Sequence, residues 1–149
     1  MDRKKTAGII WKHFKFWLSR QIDYPLVEPD ILQLCFLFRC NLKCRMCNIR
    51  ERQEAVRKEG LSCELPEETM KSLISQASKM KIRKLFLLGG EPFLSESLFG
   101  VLDFARSCGM SSIISTNGTL LDNRQIIEKV IGSGLETLAV SIDGARSRL

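Results

Sequence analysis

The sequence predicts an α/β fold of parallel strands, arranged as a partial (β/α) barrel with about four βα units. Three observations carry this. Short apolar runs of strand length alternate with single stretches of helical periodicity, which is the pattern of βαβ units. The first run, Ile31-Leu32-Gln33-Leu34-Cys35-Phe36-Leu37-Phe38, is almost continuously apolar, as expected of a strand covered on both faces of a parallel sheet. Polar motifs, most of them containing glycine, follow each strand, and the offsets from Gly89 to Thr116 and from Thr116 to Ser141 are 27 and 25 residues. That is about one βα unit each. In barrel-like α/β folds the chemistry lies at the C-terminal ends of the strands, so these motifs should meet at one mouth.

The elements follow in order. Residues 7–22 place Ile10, Phe14, Trp17 and Leu18 on one helical face, with Trp11 and Ile22 at its margin and Ile9 and Phe16 outside it. Tyr24-Pro25 through Pro29 ends that helix. After the first strand, the charged run from Arg50 to Glu59 reads as a solvated loop or short helix, with a lid as the alternative. A helix is predicted from Pro66 as its first residue, with Met70, Leu73, Ile74, Ala77 and Met80 inward. Lys84–Leu88 is the second strand. The next helix carries Leu98, Leu102, Ala105 and Cys108 and closes at Gly109. Ser112–Thr116 is the third strand. Asp122 is the predicted cap of a helix bearing Ile126, Ile127, Val130 and Ile131, and Thr137–Ile142 is the fourth strand.

Composition narrows the class. With 149 residues, 44% hydrophobic and 27% charged, the chain can form one core. The net charge of +6 collects largely in the N-terminal helix and does not argue for nucleic acid. No run approaches the roughly 18 apolar residues of a membrane span. Lys12 and Lys15 interrupt the apolar character that a secretory signal needs. Six cysteines, three of them clustered, suit a reduced cytoplasmic metal site better than a disulfide frame. The N-terminal helix is expected to pack against the exposed bottom of the sheet or a partner; as a basic helix carrying Trp11 and Trp17 it would also suit a membrane surface.

The chemistry begins at Cys40-Asn41-Leu42-Lys43-Cys44-Arg45-Met46-Cys47, a C-x3-C-x2-C triplet directly after the first strand. Three thiolates at this spacing can wrap one metal centre. Closed zinc sites and ordinary four-iron clusters use four ligands, so three suggest a cluster with one iron open to a non-protein group. A zinc site would need a fourth ligand, for which Cys35, Cys63 and His13 are candidates. Cys35 and Cys108 otherwise read as core residues, and His13 as solvated. Gly89-Gly90-Glu91-Pro92 follows the second strand, Thr116-Asn117-Gly118 the third, and Ser141-Ile142-Asp143-Gly144 the fourth.

The triplet followed by Gly-Gly-Glu-Pro after the next strand resembles the radical SAM enzymes, over roughly residues 31–149. The resemblance implies that Cys40, Cys44 and Cys47 hold a [4Fe-4S] cluster whose fourth iron is chelated by S-adenosyl-L-methionine. It implies reductive cleavage to a 5′-deoxyadenosyl radical that abstracts hydrogen from a substrate, with flavodoxin or ferredoxin as reductant. Gly89 and Gly90 would let backbone approach the ligand, Glu91 would accept from the methionine ammonium, and Pro92 would stiffen the turn. Asn117 and Ser141 would supply polar contacts to the nucleotide or its carboxylate. Met46 stands where the family often has an aromatic residue beside the adenine.

The family's barrel usually has six βα units, against four here. An arginine common past the fourth-strand motif would fall beyond Leu149, with Arg146 and Arg148 no obvious substitutes. The expected organisation is an N-terminal helix and linker over 1–30 and a core domain, incomplete at its C-terminus, over 31–149. The alternative reading is a truncated, non-catalytic cluster- and SAM-binding module, or half of a split enzyme. An unpaired fourth strand would then favour self-association or a completing chain.

Overall fold

The computed structural model describes residues 3–142, with side chains from residue 6. Two compact units divide the chain, Met1–Asp30 and Ile31–Leu149. The first consists of helix α1 (Arg3–Ile22) and the segment after it. Ser19 Oγ accepts from Leu26 N at 2.9 Å, and Lys12 pairs with Asp30, so the segment folds back along its own helix. Ile10, Trp11, Phe14 and Trp17 are exposed, and Trp11 stacks on Phe14 at 5.6 Å. His13 is exposed as well.

The second unit is a four-stranded parallel sheet. Its elements are β1 (Ile31–Leu37), α2 (Ile49–Lys58), α3 (Glu67–Lys79), β2 (Lys84–Gly89), a 3-10 turn (Pro92–Leu94), α4 (Leu98–Ser107), β3 (Ser111–Thr116), α5 (Arg124–Gly132) and β4 (Thr137–Val140). The order across the sheet is β1-β2-β3-β4. Parallel connections between sequential neighbours are right-handed as a rule, which puts their helices on one face, and residues of α3, α4 and α5 pack into one cluster with the strands. The registers align Leu34, Leu87, Ile114 and Leu138 in one row on that helix-covered face. Leu87 and Ile114 are fully buried there, with Met70 and Ile74 of α3 and Leu98, Val101 and Ala105 of α4 in the same cluster.

Several expectations change. The first strand is not covered on both faces: Ile31, Gln33 and Cys35 are exposed, because helices cover only one side. Cys35 therefore lies outside the core, whereas Cys108 is half-buried and packs against it. Met80 is exposed, since it caps α3 one residue beyond the last inward turn. Pro66 is the N-cap of α3 rather than its first residue. The cap of α5 is Asn123, whose side chain accepts from Gln125 N, and not Asp122. The charged run after the cysteines is helical, as α2, with only Ile49 buried.

The two edges of the sheet differ. Residues 63–65 pair with the outer side of β1, where Phe38 N donates to Cys63 O and Leu65 N to Phe36 O, both at 2.8 Å. This pairs the C-terminal end of an edge that would otherwise be open to other strands. At the opposite edge, β4 and α5 contain no buried residue.

Candidate metal and cofactor site

A bulge between Cys35 and Leu37 ends β1. Bulges of this kind re-aim a strand near functional sites, and here both Phe36 and Leu37 become buried. The chain then presents its carbonyls to the loop after β2. Gly90 N donates to Leu37 O at 2.7 Å, and Glu91 N to Arg39 O at 2.8 Å. The approach is too close for side chains. A Cβ at Gly89 would lie 2.4 Å from Leu37 O, and one at Gly90 would lie 1.9 Å from Arg39 O and 3.1 Å from Cys40 Cβ. Both glycines are required by backbone-on-backbone packing directly beneath the first cysteine.

Pro92 begins the short 3-10 turn, where its missing N–H costs nothing. Glu91 caps the same turn and is fully buried. Its carboxylate accepts from Phe93 N at 3.2 Å, Thr116 Oγ1 at 2.7 Å and Asn117 N at 2.8 Å. Three donors compensate a buried carboxylate and join the end of β2 to the end of β3. In this arrangement the glutamate faces protein donors.

Asn117 makes the third connection. Its side-chain nitrogen reaches Asn41 Oδ1 at 2.9 Å and Cys40 Sγ at 3.7 Å. Asn41 Nδ2 in turn donates to Thr119 Oγ1 at 2.7 Å. The ends of β1, β2 and β3 thus meet through Cys40, Glu91 and Asn117. Arg39, just before Cys40, pairs with Glu64 and donates to Leu94 O at 3.3 Å. Asn41, Thr119, Arg39 and Glu64 were not singled out from the sequence, and Thr116 only as part of the third strand-end motif. Only the Asn-Gly-Thr spacing, a local turn signal, could have pointed to Thr119.

The cysteine loop is anchored at one end only. Cys40 is half-buried, Cys44 and Cys47 are exposed, and Met46 is among the most exposed apolar side chains. Cys47 N donates to Cys44 O at 3.2 Å, which turns the loop back on itself. Among the described residues, no three His, Cys, Asp or Glu side chains converge as a preformed cage. The donor set nevertheless suits an iron–sulfur cluster: three thiols on one loop, at the strand ends, with room around two of them. Cys35 and Cys63 line a separate, largely apolar cavity of about 300 Å³ with Phe36, Phe38 and Leu61. Cys35 is exposed overall, yet its partial enclosure by this cavity pushes the thiol above its usual range, with Arg52 partly opposing.

Ser141 follows β4, is exposed, and donates its N–H to Thr116 O at 2.9 Å. That bond carries the fourth strand's end to the same end of the sheet. Asp143, Gly144, Arg146 and Arg148 lie outside the described residues.

Comparison with known proteins agrees with this geometry. The chain is 36% identical over 108 residues to an Fe-coproporphyrin III synthase of Methanosarcina barkeri, covering 72% of this chain and 26% of that protein. It is 30% identical over 120 residues to a probable GTP 3',8-cyclase of Methanothermobacter marburgensis, covering 80% and 36%. The chain thus spans about a quarter to a third of the length of these relatives. Among solved structures, SuiB of Streptococcus suis bound to S-adenosylmethionine superimposes with a TM-score of 0.61 at 19% identity, over 95% of this chain and 29% of SuiB. BtrN in complex with AdoMet and 2-DOIA gives 0.61 at 19%, over 80% and 48%. At such identities the structures speak for the fold alone. The profile of the radical SAM superfamily matches residues 34–149, from β1 through all three cysteines and every strand-end motif. With that match, and with cysteine loop, Gly-Gly-Glu-Pro turn and Asn117 at one end of a sequentially ordered parallel sheet, the chain belongs to the radical SAM superfamily.

Proposed function

We propose that this chain holds a [4Fe-4S] cluster through Cys40, Cys44 and Cys47 and binds S-adenosyl-L-methionine beside it. The observation that carries the reading is the junction of three strand ends: Gly90 packed on Arg39-Cys40, Glu91 bonded to Thr116 and Asn117, and Asn117 reaching Cys40. When bound, the cluster supplies the electron that cleaves S-adenosylmethionine to methionine and a 5′-deoxyadenosyl radical for hydrogen abstraction. The chain's own residues hold and orient. Gly89 and Gly90 leave backbone at the surface of the site, and Pro92 fixes the turn. Glu91 keeps that turn in register with β3, and its remaining lone pair can take part in recognising the methionine ammonium. Met46 offers an adaptable apolar surface to the adenine, and Ser141 a polar group to the nucleotide or its carboxylate.

The substrate and the reductant belong to the whole protein, and a flavodoxin or ferredoxin is the reductant class that fits. The N-terminal unit suggests a second surface. Helix α1 has six Lys or Arg and no acidic residue between Arg3 and Ile22, with Trp11, Phe14 and Trp17 exposed. Such a helix suits an anionic lipid surface. Among the described residues no helix is long and apolar enough to cross a membrane.

The test is anaerobic reconstitution with iron and sulfide. The expected result is about four irons per chain and 5′-deoxyadenosine after reduction with S-adenosylmethionine. Alanine at Cys40, Cys44 or Cys47 abolishes iron binding, whereas alanine at Cys63 or Cys108 spares it. Equal loss in all five variants, or full zinc occupancy under strict anaerobiosis, overturns the reading. Iron without cleavage would support the cluster- and SAM-binding module over the complete catalyst.

A further inference from the structure

Asn117 is held more completely than a ligand contact alone requires. Its side-chain oxygen accepts from Thr119 N at 2.9 Å and from Thr119 Oγ1 at 2.7 Å. A backbone N–H can only donate, so this oxygen is assigned by its partner, and the NH2 group must face the other way. One of its hydrogens serves Asn41 Oδ1 at 2.9 Å, and the second lies toward Cys40 Sγ, with nitrogen and sulfur 3.7 Å apart. Asn41 closes the ring by donating to Thr119 Oγ1 at 2.7 Å. The hydroxyl that receives this bond then gives its own proton to Asn117. Below, Asn117 N is bonded to the buried Glu91. The amide cannot turn without breaking several of these bonds at once.

Cys40 is thereby set apart from the other two cysteines. Its sulfur faces Leu42 N at 3.4 Å as well as the Asn117 amide. Among the described residues no hydrogen-bond donor reaches the sulfur of Cys44 or Cys47. Donors to a ligating sulfur stabilise negative charge on it, and a cluster gains negative charge when reduced, so they favour the reduced form.

We propose that Asn117 is a positioning residue that orients Cys40 and raises the reduction potential of the cluster through an N–H···S hydrogen bond. The inference rests on the cluster reading above and adds an asymmetry to it: one thiolate of the three is electrostatically tuned from the third strand. Thr119 is the residue that aims the amide.

The experiment is an EPR-monitored potentiometric titration of the reconstituted full chain without S-adenosylmethionine, with iron per chain measured first. Asn117→Ala removes the donor, and Asn117→Asp replaces it with oxygen facing sulfur. At unchanged iron content, both midpoints move to more negative potential, Asn117→Asp further. The one-electron equilibrium changes about three- to tenfold, tenfold being about 59 mV. Thr119→Val loosens the amide and gives a smaller shift of the same sign. Unchanged midpoints at full iron content overturn the proposal and leave the cluster reading standing. Loss of iron in both Asn117 variants also overturns it, because the residue is then needed to assemble the site rather than to tune it. No iron in the unsubstituted chain removes the cluster reading itself.

Discussion

The two flanks of the sheet are built from similar residues and end in different states. On the β1–β3 side, α3 and α4 bury Met70, Ile74, Leu98, Val101 and Ala105 against Leu85, Leu87 and Ile114. On the β4 side, α5 has a comparable apolar stripe, yet Ile127 and Ile131 are exposed, as are Val140 and Ile142 beyond it. Apolar periodicity specifies which face of a helix is available for burial. On α5 the inward positions Ile126 and Val130 are half-buried against the core, while among the described residues nothing covers Ile127 and Ile131 beside them. The candidate site follows the same division, since its hydrogen-bonded junction joins β1, β2 and β3.

Core truncation gives the largest expected contrast. Leu87→Ala or Ile74→Ala should cost about 2–5 kcal/mol in urea denaturation, and Leu138→Ala, in the same row but half-buried, clearly less. Equal losses would mean that the β4 flank is as tightly packed as the centre.

The junction comes next. Glu91→Ala leaves Phe93 N, Thr116 Oγ1 and Asn117 N without their acceptor, at a cost of about 1–3 kcal/mol for an orphaned buried group. S-adenosylmethionine binding should weaken about tenfold or more as the β3 motif loses register. Glu96→Ala, on an exposed side chain, should change neither. An unaltered dissociation constant for Glu91→Ala at full iron content would reduce the turn to scaffold.

A smaller effect distinguishes the two faces of β1. The Cys35 thiol, pushed up by burial and held down in part by Arg52, is mostly protonated below its raised range and becomes a thiolate only above it. Its alkylation, followed by peptide mass mapping, should therefore lag a free thiol at pH 8 and keep climbing where a free thiol has levelled. Arg52→Ala should delay it further. A Cys35 that labels as fast as a free thiol would contradict its half-enclosed setting.

The smallest effect on stability is expected at the uncovered flank. Ile131→Glu should change stability by no more than about 0.5 kcal/mol. It should also reduce any concentration-dependent association seen by light scattering, because exposed apolar patches favour contact. A large destabilisation would show that α5 is buried in solution by a neighbour.

The placement of much of the candidate site was legible in the chain. The triplet, the Gly-Gly-Glu-Pro turn, Asn117 and Ser141 stand at strand ends because the strand and helix periods locate those ends, and parallel connectivity brings them to one side. In the sequence Gly89 and Gly90 read as letting backbone approach the ligand, whereas the close approach that the structure shows is to the backbone of Leu37 and Arg39, which the sequence did not point to. The roles of Arg39, Glu64, Asn41 and Thr119 were not legible, since each acts through a partner up to 78 residues away. Cys35 was misassigned for a related reason: an apolar run specifies a strand but not how many of its faces are covered.

The sequence by itself determined the order of elements, the parallel βα repeat and the three thiols on one loop, because these follow from local periodicity, turn chemistry and spacing. Only the tertiary structure decided that Glu91 turns inward to three protein donors, that Asn117 aims its amide at Cys40, and that the end of β1 is paired at its edge while, among the described residues, β4 is not. Those outcomes depend on distances between residues remote in the chain. They are set by which polar groups are left to satisfy once the sheet has formed, and no local pattern records them.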